Sequence, residues 1–154
     1  MDRMILPALL TLLLPPCLAQ SKVVATAAAR FQPEVTWQEK SVIHADFSCQ
    51  GRREAAILGT TKETIVVAIF INGSAQKPEL VTYPQDVFAP TWPLSIEIDG
   101  LDYNVKQRAE DLGTPLQGLQ RSKTCKGIYL GNHQEDGIHI YWNRVMREFN
   151  EWRL

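Results

Sequence analysis

Thr64-Ile65-Val66-Val67-Ala68-Ile69-Phe70-Ile71-Asn72-Gly73 is the stretch on which the fold turns. Its apolar run is short and rich in β-branched side chains, which suit a pleated, buried strand better than a helix. It ends in Asn-Gly, the dipeptide that best tolerates positive φ at the centre of a hairpin turn. We therefore expect a strand that turns at 72–73 and returns over 79–83. Upstream, Ala55-Ala56-Ile57-Leu58 forms another apolar segment, set off by Gly59 and the polar tetrad 60–63.

Working outward, prolines 84, 90 and 93 make 84–93 an irregular connection. Residues 94–98 alternate as Leu-Ser-Ile-Glu-Ile, a half-buried strand, and Asp99-Gly100 is read as a turn into a further strand over 101–106. The segment 107–123, with Gly113, Pro115 and Gly118, carries no periodic signal. Residues 127–130 and 137–142 face each other across the polar turn 131–136, and 148–154 returns once more. On the N-terminal side, the alanine-rich 22–31 predicts a short helix stopped by Pro33, and 35–47 is too irregular to assign. The expected fold is mainly β, an α+β domain with a short N-terminal helix and a small disulfide-bridged antiparallel sheet, over one domain at 20–154.

The chain has 154 residues, 45% of them hydrophobic, and a formal net charge of −1. This is the size of one domain and excludes a repeat array or a polytopic membrane protein. Near-neutral charge argues against a nucleic-acid partner, whose phosphates select strongly basic surfaces.

Residues 1–19 read as a cleaved signal peptide. The apolar run 5–14 is too short to span a bilayer, and Cys17 and Ala19 occupy the small positions of a cleavage site before Gln20. The alternative is a lipoprotein acylated at Cys17, against which Pro15 and Pro16 stand where small residues are wanted. Either way the chain is expected to be exported, periplasmic or secreted, without a membrane span. Export leaves Cys49 and Cys125 of the three cysteines, an even pair in an oxidising compartment and hence one disulfide.

Asp46-Phe47-Ser48-Cys49-Gln50-Gly51-Arg52-Arg53-Glu54, running into Ala55–Leu58, resembles a degenerate FG-GAP or VCBS-type repeat loop. In that family oxygen ligands at alternate positions surround a calcium ion and a glycine permits the sharp turn. The resemblance implies Asp46, Ser48, Gln50 and Glu54 as the calcium ligands. Only two of these are acidic, and Arg52 and Arg53 lie between them, so the competing expectation is no cofactor, with hydrogen bonds and a Cys49 bridge holding the loop. The aromatic C-terminal segments, 139–143 and 149–153, are similar in layout to small exported bacterial proteins that pair such a loop with a C-terminal hairpin.

No nucleophile elbow, phosphate-binding loop or H-E-x-x-H zinc motif occurs. His133, Glu135, Asp136 and His139 cluster within seven residues, the composition a small metal-dependent hydrolase would use. Tyr141, Trp152 and His139 would form a binding surface if they share an exposed face. Arg52, Arg53, Arg121, Lys123 and Lys126 would converge around a Cys49–Cys125 bridge as an anion-attracting patch. The first expectation is a non-catalytic exported domain that binds a protein or envelope component. A hydrolase inhibitor, resembling the disulfide-bridged lysozyme inhibitors in Phe47-Ser48-Cys49, is the second, and a metal hydrolase the third.

Overall fold

The computed structural model describes residues 16–89 and 93–153, with backbone alone for 16–18. The chain forms two antiparallel sheets. In the first, β3 (Glu54–Thr60), β4 (Thr64–Phe70) and β5 (Glu79–Pro84) run as a meander. Two short strands, β1 (Thr36–Trp37) and β2 (Ile43–Ala45), share the free edge of β3. The second sheet is the meander β6 (Ser95–Gly100), β7 (Lys126–Gly131), β8 (Ile138–Asn143) and β9 (Glu148–Arg153).

The 64–71 reading holds, and its burial is two-sided. Alternate residues of β3 and β4 point to opposite faces. Ala56, Leu58, Ile65, Val67 and Ile69 meet Ile96, Ile128, Leu130, Ile138 and Ile140 of the second sheet in the main core. On the other face, Ala55, Ile57, Ala68 and Phe70 lie against Val24, Ala27 and Ala28 of helix α1 (Pro16–Phe31). The alanine-rich segment is therefore helical as expected, and the helix begins earlier than 22. Small side chains on both partners let it approach closely, and Trp37 seats flat on Gly59, where a Cβ would strike its ring.

Two expectations are corrected. The β4–β5 connection is a loop over 71–78 in which Gly73 takes φ 82° and Asn72 stays at negative φ, so it is not a two-residue Asn-Gly turn. Arg30 pins this loop to α1 by donating to the carbonyls of Ser74 and Ala75 at 3.2 and 3.4 Å. Second, 101–106 is not a strand. Asp99 and Gly100 end β6, and α2 (Val105–Leu112) follows. Its signals are local: Asn104 accepts from the N–H groups of Lys106 and Gln107, and Gly113 closes the helix at φ 66°. Val105, Ala109 and Leu112 fall on one face and, with Leu116 and Leu119, pack over Tyr141 and Trp152 on the outer side of the second sheet. The layers are thus α1, first sheet, second sheet, and α2 with its following segment.

The sheets are tied at two edges. Near β2, Cys49 and Cys125 form the expected disulfide, with Cα atoms 4.8 Å apart, and Lys126 N–H donates to the Asp46 carbonyl at 2.9 Å. Along the β5 and β9 edges, Tyr83 donates its hydroxyl proton to Glu151, and Arg153 donates to the Val87 carbonyl at 3.0 Å. Burial, reinforced by the Glu151 carboxylate, pushes the Tyr83 phenol well above its ordinary range and keeps it a donor. Among the described residues no helix is long and apolar enough to cross a membrane.

The bridge closes a loop with a sequence separation of 76, which restricts the unfolded chain. The Cys49→Ala/Cys125→Ala variant is expected to lose about 4–5 kcal/mol of unfolding free energy. Urea titration, with each form extrapolated on its own m-value, measures this, and a loss below about 1 kcal/mol would show that the bridge does not restrain the sandwich.

Candidate functional site

Residues 46–53 cross from the first sheet towards the second and are shaped from within. Both Asp46 carboxylate oxygens accept backbone N–H groups, from Gln50 and Gly51, each at 2.9 Å. Glu54, only 3% exposed, accepts from Phe47 N–H at 2.9 Å, from Ser48 N–H at 2.7 Å and from the Ser48 hydroxyl. Gln50 accepts from the Arg52 guanidinium at 2.6 Å. Of the oxygens that the repeat resemblance assigns to calcium, those of Asp46, Gln50 and Glu54 thus already accept hydrogen bonds, and the Ser48 hydroxyl is spent as a donor to Glu54. Among the described residues no three His, Cys, Asp or Glu side chains converge as a metal site. Cys49 at φ 58° and Gly51 at φ 73° make the sharp turn.

Beside this loop lies the β8–β9 turn, Arg144-Val145-Met146-Arg147. Fully buried Asn143 builds it, because its side-chain oxygen accepts from the N–H groups of Val145 and Met146, each at 3.0 Å. Arg147, at φ 57°, closes the turn by donating its N–H to the Asn143 carbonyl at 2.8 Å. Arg144 is braced against the α2 side through Gly118 and Gln120. On this fixed turn Val145 is 77% exposed and Met146 61% exposed. Arg144, Arg147 and Trp142 line a depression of about 400 Å³ with Ser48, Cys49 and Gln50. Among the described residues neither arginine forms an ion pair.

The basic patch expected around the disulfide is therefore made by different residues. Arg52 donates to Gln50 and, at 3.3 Å each, to the Ile71 carbonyl and the Asn72 side-chain oxygen of the β4–β5 loop, and it does not line the depression. Arg53 instead turns towards His44, Arg121 donates to the Asp102 carbonyl and Lys126 to that of Lys123. Arg144 and Arg147 carry no motif, and only the folding of β8 and β9 brings them there. Two apolar residues between two arginines at a hairpin turn were the available signal.

The histidine cluster separates. His133, at φ 60° in the β7–β8 turn, pairs with Glu97 at 2.6 Å, and His139 in β8 pairs with Asp99 at 2.8 Å. Glu135 turns to the Ala89 N–H and to Arg153. The ligand set His133, Glu135, Asp136, His139 is not assembled, because strand and turn direct these side chains to different partners. His139 instead belongs to a cross-strand row on the outer face, Glu97–Tyr129–His139–Trp152. It stacks on Trp152 with ring centroids 3.7 Å apart, and His133 stacks on Tyr129 at 5.4 Å. Tyr141 and Trp152 are 3% and 6% exposed, lying under the α2 layer. The expected open surface of Tyr141, Trp152 and His139 is replaced by this covered cluster. Burial raises the pKa of the Tyr141 hydroxyl, which donates to the Gln117 carbonyl at 3.1 Å, and that of Tyr103 to about 12. Comparison with family models, curated proteins and solved structures finds no match to this chain.

Two outcomes follow from this geometry. A Cβ at Gly137 would overlap the Tyr129 ring. Gly137→Ala should cost about 1–3 kcal/mol in the native background and much less with Tyr129→Ala. Equal costs in chemical unfolding would remove Tyr129 as the constraint.

His44 donates Nδ1–H to the Glu54 carbonyl at 3.3 Å, and burial, aided by the Arg53 charge, lowers its pKa below 6.5. The unfolded chain then binds the proton more tightly, so His44 contributes stability that is present above pH 6.5 and lost as pH falls towards its folded value. His44→Gln should flatten the stability profile on the acid side of neutrality, and an unchanged slope would exclude His44 as its source.

Proposed function

We propose that this chain is an exported binding domain that meets its partner with the β8–β9 turn. The observation that carries this reading is the exposure of Val145 and Met146 on a turn fixed by buried Asn143, between two arginines without a carboxylate partner among the described residues. Apolar side chains held in place lose little conformational freedom on docking. Arginine is enriched among the residues that dominate interface energies, and its charge selects an acidic counterpart. The partner is thus a protein with an acidic concave surface.

Export is supported by the signal-like pattern of 1–19 and by the disulfide, which suits an oxidising compartment. Ala19 and Gln20 are exposed, and the core contacts of α1 begin at Val24. Cleavage between Ala19 and Gln20 would therefore leave the packing of α1 intact. A second reading, a hydrolase inhibitor, draws on the same turn, since glycoside hydrolase clefts carry paired carboxylates that a convex arginine-flanked tip would enter.

Site-specific photo-crosslinking in the exporting cell tests the main reading. A crosslinker replacing Met146 should trap a discrete protein, and the adduct should disappear in the Arg144→Glu/Arg147→Glu background. No adduct, or the same adduct from exposed Thr82, overturns it. Inhibition of a lysozyme by micromolar protein, abolished by the same charge reversal, would select the inhibitor. Intact mass of the exported form beginning at Gln20 checks cleavage separately.

A further inference from the structure

A groove of about 320 Å³ opens on the far side of the first sheet, where the start of α1 crosses β3 and β4. Its walls are apolar: Val23 and Val24 from the helix, Ala55 and Phe70 from the sheet. Val23 is 57% exposed at its lip, an apolar side chain with no partner in the core. Among the described residues both side chains of the groove that can carry positive charge, Arg53 and His44, stand at the same end, where β2 pairs with the start of β3. Arg53 makes no hydrogen bond or ion pair among the described residues, and its charge is felt at His44. Among the described residues the one acidic side chain in the lining, Glu54, projects its carboxylate to the opposite face of β3, where Phe47 and Ser48 consume it. The groove is therefore an apolar trough with uncompensated positive charge at one end.

We propose that this groove binds an amphiphile bearing a single carboxylate, its acyl chain between α1 and the sheet and its headgroup on Arg53. An apolar chain alone would gain contact with Val23, Val24 and Phe70 but would leave the guanidinium in water. The carboxylate supplies charge-assisted hydrogen bonds to Arg53 and fixes the direction of entry. A quaternary ammonium head on the same chain would meet like charge. The inference is independent of the β8–β9 turn, and among the described residues Ala19 alone of the lining precedes the proposed cleavage point.

Titration of the full chain with decanoate below its micelle concentration, followed by calorimetry and by the His44 ring resonances, is the test. Saturable binding is expected, with the His44 titration midpoint moving up when decanoate is bound. Arg53→Gln, at an exposed position, should melt like the parent chain but bind about tenfold more weakly, roughly 1.4 kcal/mol. Val23→Asp should abolish binding, and decyltrimethylammonium should not compete. Absence of decanoate binding, unchanged affinity in Arg53→Gln, or equal binding of the ammonium analogue overturns the proposal. Decanoate binding that survives Val23→Asp places the ligand elsewhere and overturns it as well.

Discussion

The middle strands of the first sheet, β3 and β4, are apolar on both faces, and the layer order follows from that condition. A sheet with one apolar face needs one cover, whereas this one needs two. Fully burying a side chain such as Ile57, Leu58 or Phe70 is worth about 1.5–3 kcal/mol. Leaving either face in water would forfeit several such terms, against a typical net stability of about 5–15 kcal/mol. Helix α1 covers the face made small by Ala55 and Ala68, where a helix can approach closely, and Val35 and Trp37 cover that face at Gly59. The second sheet covers the other face with branched aliphatics that interdigitate.

Two packed sheets share no strand-to-strand ladder, so their relative placement rests on side-chain packing and a few tethers. The loop 46–53 is built for that purpose. Its carboxylates are turned inward to backbone N–H groups, its cysteine is held at positive φ, and its bond to Cys125 joins the edge of one sheet to the start of β7. A loop whose residue order resembles a cation-binding repeat is here stabilised by amide donors and a covalent bond. The same arrangement presents Ser48, Cys49 and Gln50 to the β8–β9 turn and so helps to form the depression beside it.

The two turns of the second sheet show how one construction serves different ends. Each is organised by a buried asparagine, Asn132 or Asn143, whose side-chain oxygen accepts from two following N–H groups. Each contains a non-glycine residue at positive φ, His133 or Arg147. His133 folds back onto Tyr129 and Glu97, and the polar groups of that face pair with one another. Among the described residues the β8–β9 turn has no such internal partners for its apolar tip or for the Arg147 side chain. That difference in satisfaction, rather than residue type, separates a structural cluster from a surface available for recognition.

Strands β4, β5, β6, β7, β8 and β9, the disulfide and the N-terminal helix are legible in the sequence, because each rests on local periodicity, a turn signal or cysteine arithmetic. Helix α2 is not: Asp99-Gly100 suggests a turn into a strand over 101–106, and an eight-residue helix capped by Asn104 and Gly113 shows its one apolar face only against the second sheet. The partners of side chains were not legible. His139 meets Asp99 and Trp152 only because three strands align in register, and Tyr141 and Trp152 are covered only because α2 folds over them. Arg144 and Arg147 acquire their setting from a loop almost a hundred residues earlier, and the apolar groove exists only where α1 crosses the first sheet. The sequence by itself determined a mainly β, disulfide-bridged domain, since alternation and hydrophobicity act between near neighbours. Tertiary structure alone decided which polar groups are consumed and which stay free, because that depends on contacts between residues distant along the chain.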